Sequence, residues 1–201
     1  MASVPAPKLS GEPPAFPFFR LSVARYHRMI DAGIFGPEER TELIEGVVMK
    51  KMTRHPPHDA ALNRLVRRFS RLLPRAWVLR VQSAVAMRDS EPEPDVAIAR
   101  GPEEKYDTRH PGPKDLALII EVADASLDYD REVKGPLYAR DHIPIYWLVN
   151  VVDSRIEVYT DPKAGKIPGY RQRRDYDVGQ SVPLVLGNRV VAHLSVRELL
   201  P

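Results

Sequence analysis

The stretch Leu116-Ala117-Leu118-Ile119-Ile120-Glu121-Val122 is a continuous apolar run of strand length, broken only by one acid near its end. A run with no polar alternation has no face to offer water, so it is expected to lie in the middle of a sheet covered on both sides. Upstream, DVAIA at 95–99 and WVLRVQSAVAM at 77–87 have strand composition and lie close enough in sequence to pair as neighbours. Between them and the central run, residues 101–114 form a polar loop containing proline.

Further out, helical and extended patterns alternate. From His58 to Leu73, the apolar residues Ala61, Leu62, Leu65, Val66, Phe69, Leu72 and Leu73 make one stripe, and Arg64, Arg67, Arg68 and Arg71 make the other, ended by Pro74. TELIEGVVMKKM at 41–52 reads as a strand or a hairpin kinked at Gly46, with RHPPH at 54–58 as the following loop. Val23, Tyr26, Met29 and Ile30 fall at helical spacing, with Ser22 as cap and Gly33 as stop. Downstream, SLDYDREVKGPLYARDH at 126–142 reads as a helix capped by Ser126 and bent or interrupted at Gly135-Pro136. IYWLVNVV with RIEVYT, and PLVLG with RVVAHL, read as two further strand pairs, turned at Asp153-Ser154 and Gly187-Asn188.

With 201 residues, 43% of them hydrophobic, the chain suits one domain of mixed α/β (α+β) class. That domain is expected over 18–201, with a flexible proline-rich tail over 1–17. The absence of cysteine excludes a disulfide framework and a thiolate zinc site. No stretch resembles a signal peptide or a membrane span, so a soluble, cytoplasmic protein is expected. A net charge of +3 decides nothing about partners, because it suits ordinary globular proteins and nucleic-acid binders alike.

Two carboxylates sit against sequence that should be buried: Asp95, which begins one strand, and Glu121, which ends another. A buried carboxylate is costly unless it is paired, hydrogen-bonded or bound to a metal. If the two strands run antiparallel side by side, both acids meet at one end of the sheet, a hard oxygen site of the kind that Mg²⁺ takes. A salt-bridged core acid beside an exposed strand-end acid is the alternative.

Pro94-Asp95, the apolar strand bearing Glu121, Asp130, Lys134 and Tyr138 at intervals of four, and YWLV at 146–149 together resemble the Uma-two family of the PD-(D/E)XK nuclease superfamily. ELIEG at 42–46 and His58 extend the likeness, which runs from about Phe19 to the C-terminus. The resemblance implies a restriction-endonuclease-like core, a central mixed sheet flanked by helices with extra hairpins. It also implies Mg²⁺ or Mn²⁺ on Asp95 and Glu121, and hydrolysis of DNA phosphodiester bonds. The superfamily's lysine two residues after the acid is absent, since position 123 is Ala123; the resemblance assigns that role to Lys134. Ile145 and Asn150 also depart from the pattern, away from the proposed ligands.

Glu42 is the family's choice over Glu45 for a further carboxylate, and His58 stands either to orient water or contact phosphate, or simply to open a helix. HPPH at 55–58 lacks a third close ligand for zinc. The stripe Arg64, Arg67, Arg68 and Arg71 is the candidate nucleic-acid surface, with Arg171, Arg173 and Arg174 as another basic patch, and solvated surface is the alternative for both. A homodimer is compatible with cutting two strands. The competing readings are a non-catalytic nuclease-like binding module for nucleic acid or protein, and a metal-dependent phosphohydrolase acting on a smaller substrate.

Overall fold

The computed structural model describes residues 18–201, so the tail expected over 1–17 lies outside the described residues. LALIIEV lies within β5 (Leu116–Ala123), every residue of which is buried. Around it runs a six-stranded sheet of order β3-β4-β5-β6-β7-β8, comprising β3 (Trp77–Val81), β4 (Val96–Arg100), β5, β6 (Ile145–Asn150), β7 (Arg155–Lys163) and β8 (Gly169–Asp177). All neighbours are antiparallel except β5 and β6, which run parallel. A parallel pair needs a crossover. Here the connection carries α3 (Leu127–Tyr129), a π-helical turn (Asp130–Lys134) and α4 (Gly135–Arg140).

Strand alternation divides the core in two. Val96, Ile98, Leu118, Ile120 and Val122 pack on one face with α2 (Pro56–Leu72), the hairpin β9 (Ser181–Leu186) and β10 (Arg189–Ser195), and the short α5 (Val196–Leu199). Ala97, Ala99, Ile119 and Ala123 face the other way, towards Leu137 and Tyr138 of α4. Glu121 shares the parity of Ile119 and Ala123, so its side chain is delivered beneath the crossover helix.

The hairpin β1 (Thr41–Ile44) and β2 (Val47–Lys50) is tied to the body by an isolated bridge between Leu43 and Glu91. Its two-residue turn puts Glu45 at φ 49° and Gly46 at φ 76°, the doubly left-handed conformation of a tight hairpin. Gly46 is required there twice over, because a Cβ would also lie 2.9 Å from the Leu21 carbonyl oxygen. The same residue receives α1 (Val23–Asp31), whose Ser22 side chain accepts from Arg25 N as the sequence suggests.

Several expectations are corrected. α2 starts at Pro56, not His58: prolines in a first helical turn lose nothing by lacking an N–H, so the RHPPH loop is shorter than its composition suggests. WVLRVQSAVAM is a strand only to Val81, since Gln82 takes φ 45°; Val85 and Met87 are buried in an irregular segment bonded back to Pro92 and Ser90. Glu121 does not end its strand, which continues through Ala123. The Gly135-Pro136 conflict resolves without a break. Gly135 N donates five residues back to Asp130 O, and the widened turn lets the helix run on through a residue that has no N–H to give. Ser126 stands at the N-cap position but its hydroxyl donates to Asp130 Oδ2 at 2.5 Å instead of capping the backbone. β8 is a strand that the sequence pattern leaves unread. Among the described residues no helix is long and apolar enough to cross a membrane.

Candidate active site

The register pairs Val96 with Ile120, so Asp95 and Glu121 stand one step further along, side by side at one end of the sheet. Backbone bonds lock them: Asp95 N donates to Glu121 Oε2 at 3.2 Å, and Val122 N donates to Asp95 Oδ2 at 2.9 Å. Three other elements close in. From the start of α2, His58 Nε2 donates to Asp95 Oδ2 at 3.0 Å, and Gln82, in its left-handed turn, reaches Asp95 Oδ1 at 3.2 Å. From the crossover, Lys134 Nζ donates to Glu121 Oε1 at 3.0 Å and Tyr138 Oη to the same oxygen at 2.6 Å. From β1, Glu42 turns inwards, 3.4 Å from Lys134 Nζ, and accepts from Glu93 N. Glu45 is spent in the turn, paired with Arg140 at 2.7 Å.

Asp130 completes the cluster. It is fully enclosed and stands 4.0 Å from Lys134, one helical turn away. In the sequence it reads as an ordinary surface partner of Lys134, because an i, i+4 pair carries no sign of its burial. Gln82 and Tyr129 give no sequence signal at all, whereas Tyr138, four residues after Lys134, belongs to the spaced pattern.

The charges do not balance. Glu42, Asp95, Glu121 and Asp130 are all buried, and Lys134, itself only 5% exposed, is the one ammonium among them. Burial works against the charge of Lys134, but Glu121, Glu42 and Asp130 outweigh it and hold the amine well above its usual range. Burial pushes Glu121 up, Lys134 opposes this, and Asp95 adds to it; the carboxyl stays above the ordinary range. Asp130 is raised well above that range, again chiefly by burial. Asp95 goes the other way: burial raises it, but the His58 hydrogen bond and charge, with the Val122 amide, pull it below. One carboxylate held ionised beside two that resist ionisation marks a site with more negative charge than the protein's own cations neutralise.

A hard divalent cation such as Mg²⁺ or Mn²⁺ fits that donor set. Among the described residues no trio of His, Asp or Glu forms a ready-made cage, yet Mg²⁺ is commonly held by one or two carboxylates with the rest water. Tyr129 Oη and His58 Nδ1, both at the pocket, are buried without a hydrogen-bond partner. The pocket holds about 120 Å³ and is lined by Glu42, Asp95, Glu121, Asp130 and Lys134 at its base. His55 does not join His58 on any common centre, because its Nδ1 is bonded to Asp124 at 2.9 Å.

The arginine stripe stands elsewhere. Arg64, Arg67, Arg68 and Arg71 line their own hollow with Glu198, to which Arg68 is paired at 2.5 Å. Arg171, Arg173 and Arg174 lie on β8; Arg171 pairs with Asp161, Arg173 with Asp175 and Glu157, and Arg174 stacks over Tyr176.

A mixed sheet flanked by helices, crossing over between its parallel central strands, places the chain in the restriction-endonuclease-like fold class of nucleases. The chain belongs to the Uma2 family, described as "Putative restriction endonuclease", whose model matches residues 23–196. A crystal structure from Anabaena variabilis, described as "a putative nuclease belonging to DUF820", superposes with a TM-score of 0.63 at 19% identity, covering 81% of this chain and 90% of that one. No curated protein matches the chain.

Proposed function

We propose that the chain is a divalent-metal-dependent endonuclease that hydrolyses DNA phosphodiester bonds at the Asp95–Glu121 site. The observation that carries this reading is the adjacency of the two acids with Lys134 bonded to one of them, at the base of an open pocket. Asp95 and Glu121 would hold Mg²⁺ or Mn²⁺. When bound, such an ion supplies charge screening at the scissile phosphate and a more acidic water. Lys134 replaces the lysine missing at position 123: it reaches Glu121 from the crossover helix and presents its ammonium to the attacking water or to a phosphate oxygen. His58 acts through Asp95, fixing the carboxylate's orientation by its 3.0 Å hydrogen bond. Glu42 and Asp130 share Lys134 and keep it protonated.

The size of the pocket favours a polymer over a small phosphate ester. About 120 Å³ takes a phosphate and a few waters, whereas pockets that enclose whole small molecules run to roughly 300–1,000 Å³. The remainder of the substrate must lie outside, across the rim. Incubation with Mg²⁺ or Mn²⁺ and plasmid, linear or branched DNA is expected to give internal cleavage, with none in EDTA. Hydrolysis of free nucleotides with intact DNA would instead support the small-substrate phosphohydrolase, and no hydrolysis with retained DNA binding would support the binding module.

A further inference from the structure

An acidic pocket repels a polyanion, so a nucleic-acid backbone reaches it only if cations on the rim hold the flanking phosphates. The exposed cations that line this pocket come from one short segment. Arg40 precedes β1, Lys50 ends β2, and Lys51 to Arg54 lead on to α2, with Lys51 N bonded to Arg40 O at 2.9 Å. The same residues also line a second hollow on their far side, so the segment stands as a ridge between two depressions.

Their commitments differ. Lys51 is largely covered and spent on Glu93, donating to its carbonyl at 2.8 Å and to its carboxylate at 3.1 Å. Arg40 lies 3.9 Å from the same carboxylate, and Arg54 reaches Asp59 only at 3.8 Å. Lys50 is exposed and pairs with no carboxylate among the described residues. Between Lys50 and Arg54 stands Met52, 42% exposed, an apolar side chain on a charged ridge. The stripe on α2, by contrast, shares no residue with the acidic pocket, and one turn of helix after another carries it away from His58, to about 20 Å at Arg71.

We infer that the ridge at 50–54, and not the arginine stripe of α2, is the surface that grips the DNA backbone, with Lys50 and Arg54 on the phosphates flanking the scissile one. This rests on the nuclease reading above. The ridge joins the carboxylates through the hairpin that also delivers Glu42, so one element of the chain both completes the site and holds the polymer over it.

The test is binding of a short fluorescent DNA duplex in Ca²⁺ to wild type, to Lys50→Gln/Arg54→Gln and to Arg64→Gln/Arg67→Gln, each across a range of salt. Because Lys50 and Arg54 are exposed, the melting temperature of the ridge variant should match wild type. Its plot of log K against log salt should flatten by about 1.8, at roughly 0.9 for each lost phosphate contact, and its KM for cleavage should rise with kcat held. Lys50→Arg/Arg54→Lys should restore the slope, and the α2 variant should keep it. A wild-type slope in the ridge variant, or a loss confined to the α2 variant, overturns the ridge while leaving the nuclease standing. No salt-sensitive duplex binding by wild type overturns both.

Discussion

Lys134→Met is expected to cost the metal-free fold about 3–5 kcal/mol, the usual penalty for removing one partner of a buried ionic cluster. The lysine stands 3.0 Å from Glu121, 3.4 Å from Glu42 and 4.0 Å from Asp130, and no other ammonium reaches them among the described residues. With it gone, three enclosed carboxyls face one another and their pKa values must climb further. An acid whose folded pKa is raised lends stability that is complete below its unfolded pKa and disappears as pH rises through the folded one. The loss should therefore be greatest at neutral and alkaline pH and shrink as pH falls into the ordinary carboxylate range. Urea unfolding in EDTA at several pH values measures this. A variant within about 1 kcal/mol of wild type at pH 8 would show that Lys134 is not what neutralises the cluster.

Mg²⁺ should separate Glu121→Gln from wild type by almost the whole binding energy. At a hundredfold excess over Kd, an ion held only by the folded site stabilises it by about 2.7 kcal/mol, and a variant lacking one of two ligands gains little. In EDTA the two proteins should melt close together. Glutamine removes a charge that burial, Asp95 and Glu42 all disfavour, while giving up about one hydrogen bond among those from Lys134, Tyr138 and Asp95 N. Thermal melts with EDTA and then with millimolar Mg²⁺ read both halves. Equal Mg²⁺ shifts, with the variant far less stable in EDTA, would make Glu121 a structural acid.

The middle of the fold is legible because burial leaves a mark on sequence. LALIIEV can only be a central strand, and its antiparallel neighbour DVAIA then fixes where Asp95 meets Glu121. β8, GYRQRRDYD, leaves no such mark: at the sheet edge it buries only Tyr176, so charged residues fill both of its faces and no apolar alternation survives. Val85 and Met87 mislead for the opposite reason, being buried apolar residues whose backbone bonds go to a loop. Within the site, Asp130 is hidden by helical spacing, which relates it to Lys134 but cannot tell an exposed pair from an enclosed one. The π turn that carries both depends on Gly135 and Pro136, and the sequence shows the conflict there without its resolution.

Single-turnover cleavage of supercoiled plasmid by Asp95→Asn tests the account most directly. Asparagine keeps the shape and an acceptor for the Val122 amide but removes the charge that His58 holds in place. With Mg²⁺ present, the account predicts a cleavage rate at least about a hundredfold below wild type, with an unchanged far-ultraviolet spectrum and no activity from either protein in EDTA. Wild-type cleavage by purified Asp95→Asn, or cleavage by either protein that persists in EDTA, would contradict it.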